Sequence, residues 1–228
     1  MKIGIVTAMY EETKPLYQKL STTRNAKTET IAGMNIFITT YGKHSIYLIN
    51  SGIGEIRATI ATQILIDHYK VERILNFGFV GALSDKFKIN DLAIVEKVVH
   101  YHFDLEKING TPKGQYNNRQ GIFFSADQDI IKRIQKHTNL NTATLASGDE
   151  FIAESQKKKD LAKRYKADIC DMEMAGIALT CEHNNISYAS IKVASDNANE
   201  EADQSFEETV SKGVTKYEGI LTEVIESL

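Results

Sequence analysis

Along the chain, short apolar runs alternate with stretches in which apolar residues recur every three or four positions. KIGIVT at 2–7 is a β-rich run, and a helical stretch follows it from near Tyr10. MNIFITT at 34–40 and HSIYLIN at 44–50 read as neighbouring strands, with Gly42 in the turn between them. Residues 55–69 switch to helical spacing and place Ile56, Ile60, Ile64 and Leu65 on one stripe. Strand patterns return at 73–79 (RILNFGF), 91–99 (DLAIVEKVV), 142–147 (TATLAS) and 187–195 (SYASIKVAS), the last a buried strand. Helical spacing marks 127–137, 156–165 and 172–183, and the tail from about 203 to 228 reads as one long amphipathic helix. Strands interleaved with helices predict an α/β domain with a parallel or mixed sheet. Residues 101–118 are polar, hold glycines and show no period, which predicts a long loop of the kind that usually carries function.

Composition narrows the function classes. The 228 residues hold two prolines, Pro15 and Pro112, and no repeat, low-complexity run or linker, so residues 1–228 read as a single domain. A net charge of −3 sets up no field that would favour nucleic acid or a membrane surface. No apolar window approaches the roughly 18 residues of a membrane span, and the first dozen residues already contain acids, so the chain reads as soluble and cytoplasmic. Cys170 and Cys181 are too few for a disulfide scaffold, and no close Cys/His pair predicts a metal. The first strand ends in Thr7-Ala8-Met9 rather than G-x-G-x-x-G, which argues against a dinucleotide cofactor. The expectation is chemistry without metal or cofactor.

In open α/β sheets ligands gather at the carboxyl ends of strands. Polar residues stand at most of these ends: Glu11-Glu12, Ser51-Gly52-Ile53-Gly54-Glu55, Gly78-Phe79-Val80-Gly81, Ser147-Gly148-Asp149-Glu150-Phe151-Ile152, Asp171-Met172-Glu173-Met174 and Ser195-Asp196-Asn197. Singly, each has an ordinary explanation: acids suit the first turn of a helix, glycine pairs make tight turns, and an Asp caps the turn after a strand. Glu173 resists that treatment. It sits among Met172, Met174, Ala175 and Ile177, where a carboxylate needs an ion pair or hydrogen bonds.

KIGIVTAMYEE, SGIGE, SGDEFI, DMEMAGIA and ASDNA, in this order and at these spacings, resemble the bacterial nucleosidases that cleave 5′-methylthioadenosine and S-adenosylhomocysteine, within the wider purine nucleoside phosphorylase group. The similarity runs from KIGIVTAM to SFEETV near 205–210. It implies a three-layer αβα sandwich around a mixed, partly barrel-like sheet, a homodimer with active sites near the interface, and a purine nucleoside as the small-molecule partner. Carried over motif by motif, Glu12 falls where the family places the carboxylate that activates water, and Asp196 where it places the acid that protonates purine N7. Met172 and Glu173 match the ribose-binding pair, with Ser195 beside the acid. Phe151 would stack on the base, the Ile152 backbone would bond its edge, and Ile53 and Gly81 would line the sugar and base pocket.

The reaction explains the residue types. An N-ribosidic bond breaks through an oxocarbenium-like state, so the leaving base needs a proton, the attacking water needs a base, and the cationic sugar gains from nearby carboxylates. Asp196 must therefore stay protonated near neutral pH, which burial or hydrogen bonding to the neutral form would achieve. Three features depart from the family pattern. Phe79 stands where a serine or threonine is usual, which favours water over phosphate as nucleophile. Lys192 replaces a common arginine, keeping the charge without the bidentate fork. In the 100–118 loop Ile108 or Asn109 stands near the aromatic position that covers the 5′ group, and His100 and His102 read as solvated. A phosphate-dependent phosphorylase and a non-catalytic nucleoside-binding protein remain the rival readings. Arg24, Arg57, Arg73, Arg119, Arg133 and Arg164 all lie outside the matched motifs, so the resemblance supplies no arginine set for phosphate.

Overall fold

The computed structural model describes residues 1–21, 25–117, 119–212 and 215–228. Its strands are β1 (Lys2–Thr7), β2 (Lys27–Ile31), β3 (Met34–Tyr41), β4 (His44–Asn50), β5 (Arg73–Ala82), β6 (Leu92–His100), β7 (Phe123–Ser125), β8 (Asn141–Ser147), β9 (Ile169–Asp171) and β10 (Ser187–Asp196). Helices are α1 (Tyr10–Ser21), α2 (Glu55–Tyr69), α3 (Glu106–Asn109), α4 (Gln128–His137), α5 (Ser155–Tyr165), α6 (Met174–Asn184), α7 (Ala202–Lys212) and α8 (Thr215–Ser227).

All the strands join one mixed sheet in the order β10-β6-β8-β9-β5-β1-β4-β3-β2, with β7 on β6. A further pairing of β10 with β5 closes β10, β6, β8, β9 and β5 into a five-stranded barrel, and β1, β4, β3 and β2 extend outward from it. The mixed α/β sheet is the one the strand and helix pattern predicts, and the barrel within it is the one the family resemblance implies. Strands β5 and β10 are buried along their whole length after the first residue, because barrel staves covered by helices present no face to water. Polar side chains link the two staves to β1: Asn76 donates to the Val6 carbonyl at 3.0 Å and accepts from Ser190 Oγ at 2.7 Å. Helices cover the sheet in two groups, α2 against α6, and α1 and α4 against α8. None of the described helices is long and apolar enough to cross a membrane.

Several elements differ from the sequence expectation. The tail forms two helices, α7 and α8; Gly213-Val214 between them lies outside the described residues, and a glycine costs a helix interior about 1 kcal/mol. Strand β5 runs on to Ala82, carrying Gly81 into the barrel wall. Helix α6 begins at Met174, so Glu173 caps it rather than lying within it. The α2 stripe splits. Ala58, Ala61, Thr62 and Leu65 face the core, whereas Ile56 and Ile60 are 73% and 42% exposed. The predicted 101–118 loop is, over its described residues 101–117, more structured than its polarity suggests. Phe103 stacks on Tyr116 with ring centroids 3.9 Å apart, and His100 Nδ1 lies 2.8 Å from the Tyr116 hydroxyl. His100 is thus part of an aromatic cluster, not solvated.

Candidate active site

The parallel strands β1, β4, β5 and β10 end on one side of the sheet, and the turns that follow them build a single cavity. Strand β1 delivers the chain to α1 through Ala8-Met9, whose amides point back at the first turn of the helix. Glu12 sits in that turn and is buried. Its Oε2 accepts from Ala8 N–H at 2.8 Å and Met9 N–H at 2.9 Å, and its Oε1 accepts from Phe79 N–H at 3.1 Å. The close approach of β5 depends on Gly78, where a Cβ would stand 2.8 Å from Glu12 Oε1. Burial raises the Glu12 pKa above the ordinary carboxylate value, and Lys192 and the three amides oppose the rise.

Glu173 comes from the head of α6. Its Oε1 accepts from Gly54 N–H at 3.1 Å and its Oε2 from Met172 N–H at 3.3 Å. Gly54 adopts φ 110°, a conformation L side chains rarely adopt, so the S-G-I-G-E turn needs a glycine there to aim its amide at Glu173. Burial and the neighbouring Asp171 charge push the Glu173 pKa up. Lys192, on β10, ion-pairs with Asp171 at 2.8 Å in a fully buried contact. Burial pulls the ammonium pKa down, but Asp171, Glu173 and Glu12 outweigh it and hold Lys192 above its ordinary value.

Asp196 closes β10, where the register against β5 shifts between Ala194 and Asp196. Such an irregularity re-aims the side chains at a strand end. Asp196 Oδ1 accepts from Ala198 N–H at 2.8 Å, and Oδ2 lies 2.7 Å from Ser195 Oγ, which is also 3.2 Å from the Val80 carbonyl. The single Ser195 proton can go to either neighbour. Burial raises the Asp196 pKa, with Ser195 and the Ala198 amide acting the other way.

These groups surround a cavity of about 470 Å³, within the range of small-molecule sites. Glu12, Ile53, Gly81, Phe151, Met172, Glu173, Ser195 and Asp196 all line it. Ile152 does not. It is buried and lines a small cleft that shares Gly81, Phe151 and Asp196 with the main cavity. Ile53 and Phe151 leave the mouth partly apolar and open. His100, His102, Ile108 and Asn109 line neither space in this single chain. The structure adds residues that the strand-end survey passed over. Phe206 reaches in from α7 and meets Phe79 and Phe151 edge to face at 5.9 and 6.0 Å, with Asp203 and Glu207 flanking it. Phe206 lies in the SFEETV stretch, so the signal for it was present. Among the described residues, no group of three or more His, Cys, Asp or Glu is arranged to hold a metal ion.

Comparison with known proteins gives this geometry a family. The model of the phosphorylase superfamily matches residues 2–226. The chain belongs to that superfamily. It is 34% identical to the 5′-methylthioadenosine/S-adenosylhomocysteine nucleosidase of Buchnera aphidicola, covering 98% of both chains. The aminodeoxyfutalosine nucleosidase of Campylobacter jejuni is 30% identical, with 92% of each covered. The structure of the Helicobacter pylori 5′-methylthioadenosine/S-adenosylhomocysteine nucleosidase with butyl-thio-DADMe-Immucillin-A superposes with a TM-score of 0.94 at 27% identity, covering 100% of this chain and 99% of the other. Within the superfamily this chain stands with the N-glycosidic nucleosidases, as an N-glycosyl hydrolase of purine nucleosides.

The contact between Gly78 and Glu12 yields a direct test. Gly78→Ala places a methyl group against the Glu12 carboxylate and is expected to lower purine release on the order of 10²-fold. Overpacking this buried contact should also lower the melting temperature by several degrees, and unchanged turnover would show that the placement of Glu12 does not matter.

Proposed function

We propose that the protein hydrolyses the N-ribosidic bond of an adenosine-type nucleoside, such as 5′-methylthioadenosine or S-adenosylhomocysteine, releasing the free base. The observation that carries this reading is the charge of the cavity. Glu12, Asp171, Glu173, Asp196, Asp203 and Glu207 line it, and among the described lining residues there is no lysine, arginine or histidine. A wall of carboxylates favours a ribosyl group that becomes cationic as the bond breaks, and it opposes the entry of phosphate. The Phe79 ring occupies the wall where a polar hydroxyl would serve an anion, which also favours water.

In this mechanism Asp196, neutral in its buried setting, gives its proton to the departing purine, and Ser195 then turns its hydroxyl to the new carboxylate. Glu12 takes a proton from water on the opposite face of the sugar, and its raised pKa suits a general base near neutral pH. Glu173 holds the sugar hydroxyls with Met172 beneath them, and Phe151 stacks on the base. The apolar rim at Ile53 and Phe151 accepts a thioalkyl or larger 5′ group, and the Campylobacter relative makes aminodeoxyfutalosine a further candidate. Ile53, Ile56 and Ile60 form an exposed apolar ridge leading from this mouth along α2, and a second copy of the chain covers it in our reading.

Purine release should proceed at the same rate with and without phosphate across a panel of methylthioadenosine, adenosylhomocysteine, adenosine, inosine and aminodeoxyfutalosine. Strict phosphate dependence would replace hydrolysis by phosphorolysis. The pH profile of kcat/KM should be a bell. Its acid limb falls as Glu12 is protonated and its alkaline limb as Asp196 loses its proton, each above the ordinary carboxylate range. Asp196→Asn is expected to lower kcat by about 10²- to 10⁴-fold and to remove the alkaline limb, with the fold intact by circular dichroism. Retention of wild-type turnover would take Asp196 out of the mechanism. Replacing both Ile56 and Ile60 by Glu should shift a homodimer to a monomer by light scattering; a wild type that is already monomeric would sink the second-copy reading.

A further inference from the structure

The floor of the cavity rests on a buried polar chain whose protons can be counted. Ser147 Oγ, at the end of β8, lies 2.5 Å from Glu55 Oε1 and 2.6 Å from Asp171 Oδ1, and it accepts the Ala175 N–H at 3.0 Å. A serine hydroxyl carries one proton, so it cannot satisfy two carboxylates that only accept. Asp171 accepts at every contact it makes. Its Oδ1 also takes the Glu173 and Met174 amides at 3.4 and 3.2 Å, and its Oδ2 faces the Lys192 ammonium at 2.8 Å. Glu55 is different. Its Oε2 accepts from the Gly176 amide at the head of α6, and among the described residues its Oε1 meets only the Ser147 hydroxyl.

We propose that Glu55 is held as a neutral carboxylic acid that donates to Ser147, so that Ser147 donates to Asp171, and that this chain is the positioning device that fixes Lys192 beside Glu12 and Glu173. Every group is then satisfied. Ser147 accepts from Ala175 and Glu55 and donates once, and Asp171 is left with its full negative charge toward Lys192. The inference rests on the catalytic reading of Glu12 given above.

The surroundings agree with the proton count. Glu55 is buried, and burial, reinforced by the Asp171 and Glu173 charges, raises its pKa to about 8; Ser147 and the Gly176 amide oppose the rise. The titratable and charged groups facing it are Asp171 on β9, Glu173 at the head of α6, and Tyr101 and Tyr116 from the segment after β6. Asp149 accepts the Glu55 amide at 2.8 Å. Glu55 opens α2, so the same residue ties the S-G-I-G-E turn, and with it the Gly54 amide on Glu173, to the head of α6.

The chain reaches the reaction through Lys192, which lowers the proton affinity of Glu12. When Glu55 or Ser147 is lost, Lys192 is less firmly held, Glu12 binds its proton more tightly, and the acid limb of kcat/KM moves to higher pH. Glutamine at position 55 keeps both contacts, because its amide donates to Ser147 and its carbonyl accepts from Gly176.

The infrared difference between wild type and Glu55→Gln at pH 6 should show the carbonyl stretch of one protonated carboxylic acid. Glu55→Gln should keep the wild-type pH profile. Glu55→Ala and Ser147→Ala should each lower kcat by up to about 10²-fold and shift the acid limb upward, and the double variant should be no worse than either single one. Absence of the infrared band, or a Glu55→Gln profile shifted as far as that of Glu55→Ala, would overturn the proposal. A purely structural Glu55 would lower the melting temperature and leave the acid limb in place, which also overturns it. Should Glu55→Ala fail to fold, Ser147→Ala supplies the kinetic arm. Failure of the hydrolase reading looks different: wild type then releases no purine, while the infrared band still decides the state of Glu55.

Discussion

Burying a carboxylate costs several kcal/mol unless donors, a cation or a proton compensate it, and this fold buries five in one small volume. Glu12, Glu55, Asp171, Glu173 and Asp196 are each less than 9% exposed, with Lys192 as the cation among them. Each is compensated in its own way. Glu12 collects three backbone amides, Glu55 takes Ser147 and the Gly176 amide, Asp171 takes the lysine, Glu173 takes the amides of Gly54 and Met172, and Asp196 takes Ser195 and the Ala198 amide. One positive charge cannot balance five negative ones at this distance, so the arrangement is stable when some of the carboxyls keep their protons. Burial raises the pKa values of Glu12, Glu55, Glu173 and Asp196, and the neighbouring Asp171 charge adds to the rise at Glu55 and Glu173.

The barrel makes such crowding possible. Closure of β10 on β5 sets Lys192 opposite Gly78 and Asp196 opposite Gly81. At both positions a side chain would collide with the acids: a Cβ on Gly78 would meet Glu12, and one on Gly81 would lie 3.0 Å from Asp196 Oδ1. The glycines of N-F-G-F-V-G-A are therefore spaced by the acids they admit. On the other wall, α2 and α6 approach so closely at Gly176 that a Cβ there would stand 2.5 Å from the Glu55 carbonyl. That approach brings Glu55 to the head of α6, and it explains why the face of α2 beside α6 carries Ala58 and Ala61 while Ile56 and Ile60 point outward.

Which parts of this were legible in the sequence follows from how local each signal is. Strands β1, β3, β4 and β10 carry their own apolar pattern and were visible. The β2 segment KTETI is polar on an outer edge of the sheet, and β7 and β9 are three residues each, too short for any period to develop. Glu12, Glu173 and Asp196 were found because they stand at strand ends in a recognisable order, and all three do line one cavity. Ile152, placed with them by motif, is buried in a small cleft that shares Gly81, Phe151 and Asp196 with that cavity. The Glu55–Ser147–Asp171–Lys192 chain left no comparable trace. Its members are 92, 24 and 21 positions apart, and nothing in the pattern around Glu55 separates a buried acid from the ordinary acid of a helix first turn.

On the proposed reading, the same excess of acid that strains the resting site selects the reaction. Before bond cleavage the carboxyls that remain ionised place negative charge around the sugar, held by amide donors and one nearby lysine. As the ribosyl group becomes cationic that charge is relieved, so stabilisation grows along the reaction coordinate instead of being spent on the bound substrate. A phosphate nucleophile would add negative charge at the moment the wall is least able to accept it, whereas water enters without charge and loses a proton to Glu12. The choice of nucleophile is then set by the electrostatics of the whole wall rather than by a dedicated contact. In that account Phe79 is tolerated where a hydroxyl is usual, because there is no anion to hold.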